Sequence, residues 1–425
     1  MIKEVSLFQN KRDFFHFLLL AFTFFSLSIS LEFYNYKELT KFDSQLVSAT
    51  VLKQYTKTKL TKTGKTKSYQ VLKMKSEEGF TFYSTVSMKL PDLKYKKLDL
   101  EVWAGRISFY EYMHSFFSFS KILHIHKDTS YKTTLNAIIN KQHKNRDISL
   151  LYQALFTAKQ LPFELQKVFS NLGISHLIAI SGFHLGVLSA ILYFLFKYPY
   201  KLLQNRYFPY RSYKVDSFIF ITLVLFSYLL FLEVPPSLLR AFVMLLIGFI
   251  LYDRGMKILS LQTLLLTVIL LLALLPRLFF SIGFWLSVSG VFYIFLFLIH
   301  FKHLSKTWQF VLLPFWVYLL MLPYSLVIFG NFSLLHPLSI LWTSLFTLFY
   351  PLAILLHLLG VGDLLDPLLE TLMTLHTNAI TMALDTKVLL LEVTLSLLSI
   401  FSRPFLYLLL LYSFSLFIYA IYNVT

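Results

Sequence analysis

The 425-residue chain is 56% hydrophobic, with a mean hydropathy of +0.64 and a formal net charge of +17. That balance excludes an ordinary water-soluble fold, and apolar runs close to the length of a bilayer core recur along it. Cysteine is absent, which excludes disulfides and thiolate chemistry and leaves only His, Asp and Glu as candidate metal ligands.

The pattern predicts a polytopic α-helical membrane protein with a small β-rich extracytoplasmic domain near the N-terminus. Residues 1–32 are a basic head (Lys3, Lys11, Arg12) and a first transmembrane anchor. Its apolar run, 14–31, lacks a small-x-small cleavage pattern, so it reads as uncleaved with its N-terminus in the cytoplasm.

Residues 33–146 change character. The stretches "SQLVSATVLKQYTKT", "KSYQVLKMKSEEGFTFYSTVSM" and "KLDLEVWAGRISFYEYM" alternate with period two and are separated by polar turn-like clusters, as β-strands would be. Residues 33–150 hold 21 Lys or Arg against 10 Asp or Glu, a surplus of 11. Lys53, Lys57, Lys59, Lys62, Lys65 and Lys67 sit beside Tyr55 and Tyr69. Such a stretch can track a phosphate backbone while bases stack; it can equally decorate solvated strands and discourage edge pairing.

Residues 147–173 read as one amphipathic helix on the membrane surface, and 174–362 as a transmembrane core. Spans are expected near 174–196, 217–232, 237–252, 258–275, 280–299, 308–329 and 335–359. Residues 363–425 are expected to hold interfacial and transmembrane helices, with a last span near 404–423. Within them, 364–402 is apolar but interrupted by Asp366, Glu370, Asp385, Lys387 and Glu392. Loop 197–216 carries five positive charges, while 253–257 and 300–307 carry two each. The intervening loops carry little, so the basic loops belong in the cytoplasm and the β-rich domain in the periplasm.

The run "ISHLIAISGFHLGVL", 174–188, places idle-looking polar groups in an expected span. On a continuous helix, at about 100° per residue, His176, Ser181 and His184 share one arc. Ser175, Ala179, Gly182, Gly186 and Ser189 form a second, small-residue face suited to close packing. The polar arc then faces a water-accessible path or bonds neighbouring helices. In "EVPPSLLRAFVML", 233–245, Arg240 lies about one turn inside a span, with Glu233 as its expected partner. Arg240 either snorkels or presents a fixed charge to an anion. "SIGFWLSVSG", 281–290, repeats the small-residue spacing.

Together with "LPYSLVIFGNFSLLHPL", these segments resemble, in the same order, the ComEC family of DNA-uptake channels of competent bacteria, over roughly residues 150–360. The resemblance implies passage of single-stranded DNA through the inner membrane into the cytoplasm. His176, Ser181, Gly182, His184 and Arg240 occupy the family's motif positions, and the basic outer domain corresponds to its OB-like domain. Trp285 and Ile340 stand where the family often has glutamine and asparagine. Many members also carry a C-terminal metallo-β-lactamase-like domain. This chain is expected to be a short form without it, and "HIHKD", 124–128, lacks that domain's further ligands.

No cofactor or metal is expected, and the chain is not read as an enzyme. Gly64-Lys65-Thr66 lacks the glycine five positions upstream that a phosphate loop needs, since Lys59 stands there. The resemblance implies as partners single-stranded DNA, the lipid bilayer, a periplasmic DNA-binding competence protein and a separate nuclease, and the missing phosphate loop fits a separate cytoplasmic DNA helicase or motor. Two other classes compete. One is a small-anion or proton-coupled transporter using Arg240 and the histidines. The other is an intramembrane hydrolase using Ser181 with His184 or His176, against which stands the expectation that a Ser and His three apart on one helix do not align.

Overall fold

The computed structural model describes residues 10–60, 66–86, 93–94, 96–126, 131–253, 260–375, 379–382 and 384–424. The chain forms two compact units: residues 10–133 with 269–281, and a helical unit of residues 134–268 and 282–425.

The first unit begins with α1 (Lys11–Leu39), long and apolar enough to cross a membrane. A six-stranded mixed sheet follows: β1 (Gln45–Leu60), β2 (Thr66–Ser76), β3 (Thr81–Val86), β4 (Lys97–Val102), β5 (Phe116–Phe117) and β6 (Ser120–Ile125), in the order β5-β3-β2-β1-β4-β6. All pairs are antiparallel except β3 with β5. The short segment 116–125 leaves β3 as β5 and meets β4 as β6, so it touches both flanks of the meander. Alternation buries Leu72, Met74, Phe82, Leu98, Leu100 and Val102 on one side, the side on which Leu39 at the end of α1 is also buried.

The expected strand over 97–113 stops at Val102. Residues 109–114 form the helix α2 (Phe109–His114), because Ser108 and Glu111 make a reciprocal cap in which the Ser108 N–H donates to Glu111 Oε2 at 2.7 Å. A local side-chain cap outweighs strand-like alternation there. Residues 276–280, far away in sequence, join this unit: Arg277 pairs with Glu32 of α1 at 2.5 Å and lies over the Tyr112 ring at 4.7 Å.

The helices that follow the sheet are α3 (Tyr131–Gln142), α4 (Arg146–Thr157), α5 (Phe163–Asn171), α6 (Ser175–Ile178), α7 (Gly182–Tyr207), α8 (Tyr213–Phe231), α9 (Pro236–Asp253), α10 (Leu261–Leu274), α11 (Ile282–His300) and α12 (Lys306–Phe329). After β7 (Asn331–Ser333) come α13 (Ser339–Leu358), α14 (Asp366–Met373), β8 (Ala379–Thr381), α15 (Thr386–Ser399) and α16 (Arg403–Val424), with β7 and β8 pairing antiparallel. Among the described residues, α1 and the segments 213–231, 282–300, 306–329, 336–358 and 403–424 make six helices long and apolar enough to span, and 236–251 and 261–274 are shorter apolar helices. The protein is multi-pass.

Two expectations change here. The single amphipathic helix over 147–173 is two helices, α4 and α5, interrupted where Ala158 turns left-handed (φ 58°) and Pro162 precedes α5. The interrupted stretch 364–402 resolves into the short α14, the strand β8 and the 14-residue α15.

A hydrogen-bonded chain ties the α3–α4 corner to α13 and α14. Asp366 meets His143 Nδ1 at 2.9 Å, His143 Nε2 meets His357 Nε2 at 3.0 Å, and His357 Nδ1 donates to the Ala353 carbonyl at 2.7 Å. Making all three bonds takes one proton more than a carboxylate and two neutral imidazoles possess. The Tyr152 ring stacks on His143 at 4.7 Å. Gln142 Oε1 accepts from the Gly362 N–H at 3.1 Å, and a Cβ on Gly362 would fall 2.6 Å from that oxygen.

Burial pushes the Asp366 carboxyl above its ordinary range, against the opposing pull of His143. A carboxyl raised in the folded state binds its proton more tightly there than when unfolded. Its contribution to stability therefore declines as pH rises through the folded value. His143→Ala should cost about 1–3 kcal/mol in unfolding measured in detergent. Asp366→Asn, whose amide can donate to His143 without the extra proton, should hold the corner together and flatten the pH dependence of the melting temperature. An unchanged slope would remove Asp366 as its source.

Candidate functional site

Residues 174–188 are not one helix. α6 ends at Ile178, Ala179 is extended (ψ 122°), and α7 starts afresh at Gly182 with Ser181 as its N-cap. The wheel that grouped His176, Ser181 and His184 on one arc therefore fails. The cap supplies the physical reason: the Ser181 N–H donates to His184 Nδ1 at 3.2 Å, with His184 in the place of the glutamate of a capping box. Breaking the helix frees backbone N–H groups at the start of α7, and this bond satisfies the one at Ser181.

The same geometry corrects the expectation about alignment. Ser181 Oγ and His184 Nδ1 stand 3.1 Å apart, within hydrogen-bond reach, because the two residues flank a helix start. His184 is fully buried, its ring set edge-on to Tyr350 and Phe346 at 4.6 and 5.2 Å. His176 lies elsewhere, exposed at the break and 3.2 Å from Thr343 Oγ1.

Two further motif segments converge on this break. The Ser237 hydroxyl donates to the Ile180 carbonyl at 3.2 Å, which pins the start of α9 to the interruption. Gly182 is the point of closest approach: a Cβ there would lie 2.9 Å from Ala241 Cβ and 3.2 Å from an Arg240 guanidinium nitrogen. Gly186, its expected partner in close packing, faces open space. The Arg240 side chain is buried and donates through Nε to Ser287 Oγ of α11 at 2.9 Å, with Met244 Sδ 3.0 Å from another nitrogen. Among the described residues these are its hydrogen-bond partners, both uncharged, in place of the expected Glu233. Glu233 instead forms the turn into α9, where it and Val234 are both left-handed (φ 65° and 57°). The fourth segment lines the α5–α6 corner: His336 bonds the Ser170 carbonyl at 2.8 Å, and Asn331 donates to Ser170 Oγ at 3.0 Å.

A family model described as "Competence protein" matches residues 156–424, well over half of the chain. The chain belongs to the ComEC competence family. No curated protein and no solved structure matches it. The competence match begins at the end of α4 and runs through α16, so it includes the break, α9, α11 and α13 and leaves the sheet outside. Membership implies a role in DNA uptake during transformation.

In this competence protein the sheet carries a second candidate site. The register sets Lys53 opposite Lys73, Tyr55 opposite Val71, Lys57 opposite Tyr69 and Lys59 opposite Lys67, and directly opposed residues share a face. Lys53, Tyr55 and Lys57 are exposed, Lys57 lies 5.9 Å from the Tyr55 ring and Lys73 5.2 Å from the Tyr83 ring. Lys62 and Lys65 fall outside the described residues, as do the side chains of Lys59 and Lys67. In the "HIHKD" stretch, His126 bonds Asp99 at 2.7 Å; bonds from Ser48 and His126 hold that carboxyl below its usual range.

Sequence reasoning missed Ser287, which looked like one more small packing residue, and missed that His184 holds a helix start. Ser-Gly followed by His two residues later was the available signal for a capped break.

Two outcomes follow from this geometry. Gly182→Val should lower the melting temperature in detergent and disturb the α7–α9 contact. Gly186→Ala, in open space within the helix, should leave it unchanged or stabilise by up to about 1 kcal/mol. Reversing the charge of Lys53, Lys57 and Lys73 together should weaken binding of a labelled single-stranded oligonucleotide to the full protein. The log–log salt slope should then fall by roughly 2, at about 0.7 per phosphate contact; an unchanged slope would return these lysines to a solubility role.

Proposed function

We propose that the helical unit is an inner-membrane channel that passes single-stranded DNA into the cytoplasm, and that it acts without catalysing a reaction. Arg240 carries this reading. It is a buried guanidinium whose hydrogen-bond partners are uncharged, held against the N-terminus of a 26-residue helix. Helix N-termini and guanidinium groups both favour phosphate oxygens. A buried charge without a counter-charge costs several kcal/mol, and a backbone phosphate moving past would offset that cost.

In this reading Arg240 meets phosphates, Ser287 aims it, and Gly182 gives it room. His184 is a positioning residue for the α7 start, while Ser181 caps it. His176, exposed beside the break, and Glu233, in the strained turn before α9, flank the path. The Lys/Tyr face of the sheet captures the strand first. Its strand order, with 116–125 joining β3 to β4, supports an OB-like barrel. Arg277 joins residues 276–280 to α1 and α2, which supports the orientation read from loop charges, with 276–280 on the periplasmic side. Energy, delivery and strand degradation come from partners: a cytoplasmic helicase or motor, a periplasmic DNA-binding protein and a separate nuclease.

The short Ser181–His184 contact favours hydrolysis as a second reading. Against it, the His184 Nδ1 lone pair that a base would use is already engaged by the Ser181 backbone N–H.

The test uses the source bacterium with its own copy deleted and complemented, following fluorescent DNA. Arg240→Glu should leave the protein inserted, with DNA accumulating in the periplasm and cytoplasmic signal lost. Arg240→Lys, which keeps charge but not the planar fork, should pass DNA at a reduced rate. Normal cytoplasmic DNA with Arg240→Glu would overturn the proposal.

A further inference from the structure

We infer that Glu392 is a proton-binding site inside the helical unit, a role that does not depend on what the channel carries. Glu392 lies on α15, which packs against α12 and α16, and it is fully buried. Its carboxyl meets hydroxyls only: Tyr293 Oη of α11 at 3.2 Å from Oε1, and Ser413 Oγ of α16 at 3.2 Å from both oxygens. Tyr293 Oη is itself 2.8 Å from Ser396 Oγ and 3.4 Å from Tyr324 Oη of α12, and its backbone carbonyl is held by Trp316 Nε1 at 2.9 Å. Among the described residues, no Lys, Arg or His forms an ion pair with Glu392. The nearest charges on its own helix, Asp385 and Lys387, are exposed and lie 3.9 Å from each other. The other titratable groups around it are tyrosines: Tyr293, Tyr324 and Tyr412, the last bonded to the Val388 carbonyl at 3.1 Å.

A buried carboxylate with no cation is too costly to keep, so the resting group holds a proton. The choice of partners distinguishes a titrating site from a structural one. A lysine or arginine would lock the anion, whereas each hydroxyl can donate to a carboxylate or accept from a carboxylic acid. The same ring of oxygens therefore serves both forms. At the end of α11, half-buried His300 donates to the Ser399 carbonyl at 2.8 Å, and Ser399 Oγ donates to the Ser396 carbonyl at 2.7 Å, so α15 is held to α11 next to the Tyr293–Ser396 contact. Because the carboxyl is shared by α11, α15 and α16, losing its proton draws water or a cation between these helices, so proton binding and helix packing are one equilibrium.

The experiment treats the full protein in lipid with dicyclohexylcarbodiimide, which adds to a protonated carboxyl and rearranges to a stable N-acylurea, and maps adducts by peptide mass spectrometry. Glu392 should be labelled at pH 6 and lose label toward pH 9, since each pH unit above the titration point removes about tenfold of the protonated form. Exposed Asp385 should stay unlabelled at both. In parallel, pH-difference infrared spectra should show a protonated-carboxyl band that bleaches over the same range and is absent in Glu392→Gln, which keeps the hydroxyl bonds. No such band, or an equal band in Glu392→Gln, would overturn the inference. Protection of Glu392 by sodium but not by choline would also overturn it, by assigning the site to a monovalent metal cation.

Discussion

Everything at the motif depends on a helix that is broken where its hydropathy says it should continue. An interruption inside an apolar bundle leaves N–H and C=O groups without partners, which a lipid-facing backbone cannot tolerate. Here they are taken up one by one: Ser181 N–H by His184, and Ile180 C=O by Ser237. These two bonds fix the start of α7 and the start of α9 to the same point. Only with both in place does the bare backbone of Gly182 come close enough to α9 to leave Arg240 beside the N-terminus of α7. The polar residues of the motif therefore build the interruption, and the arginine exploits it.

α11 connects this arrangement to the second polar interior. Ser287 and Tyr293 are six residues apart, about 9 Å along the helix and roughly 120° around it. One face receives Arg240 and another receives Glu392. A structural solution to a buried cation and a buried acid would be to pair them, since breaking a buried pair is more costly than forming it. The fold keeps them on different faces and gives each uncharged partners instead: a hydroxyl and a thioether to Arg240, hydroxyls to Glu392.

The run lengths of apolar residues made most spans legible, and period-two alternation made the sheet legible, because both follow from burying one side of a regular element. What escaped was local capping and long-range pairing. Ser108 with Glu111, and Ser181 with His184, change the backbone through a single side chain, a signal that periodicity averages away. The Asp366–His143–His357 chain joins residues more than 200 positions apart, and nothing near any one of them announces the other two. Glu392 was visible as an interruption of an apolar run, but its hydroxyl partners come from two other helices. The motif positions were legible through family resemblance, whereas the geometry that makes Arg240 a candidate anion contact needed Ser287, which had looked like packing.

The sheet poses the opposite problem: charges that were legible but ambiguous. Lysines that guard an edge need only appear on that edge. Among the described residues the β1–β4 register ends at Thr50, and guarding the flank beyond it would explain Lys53 and Lys57. It would not explain Lys73 directly across from Lys53, on a strand already paired. Like charges set opposite one another destabilise a hairpin, and a guard gains nothing from doubling them. Interleaved tyrosines gain nothing for solubility either. A face that concentrates positive charge at a cost to its own stability, with rings spaced between, needs a reason beyond solubility, and the proposed capture of a single strand supplies one: negative charge for the lysines and flat apolar surfaces for the rings.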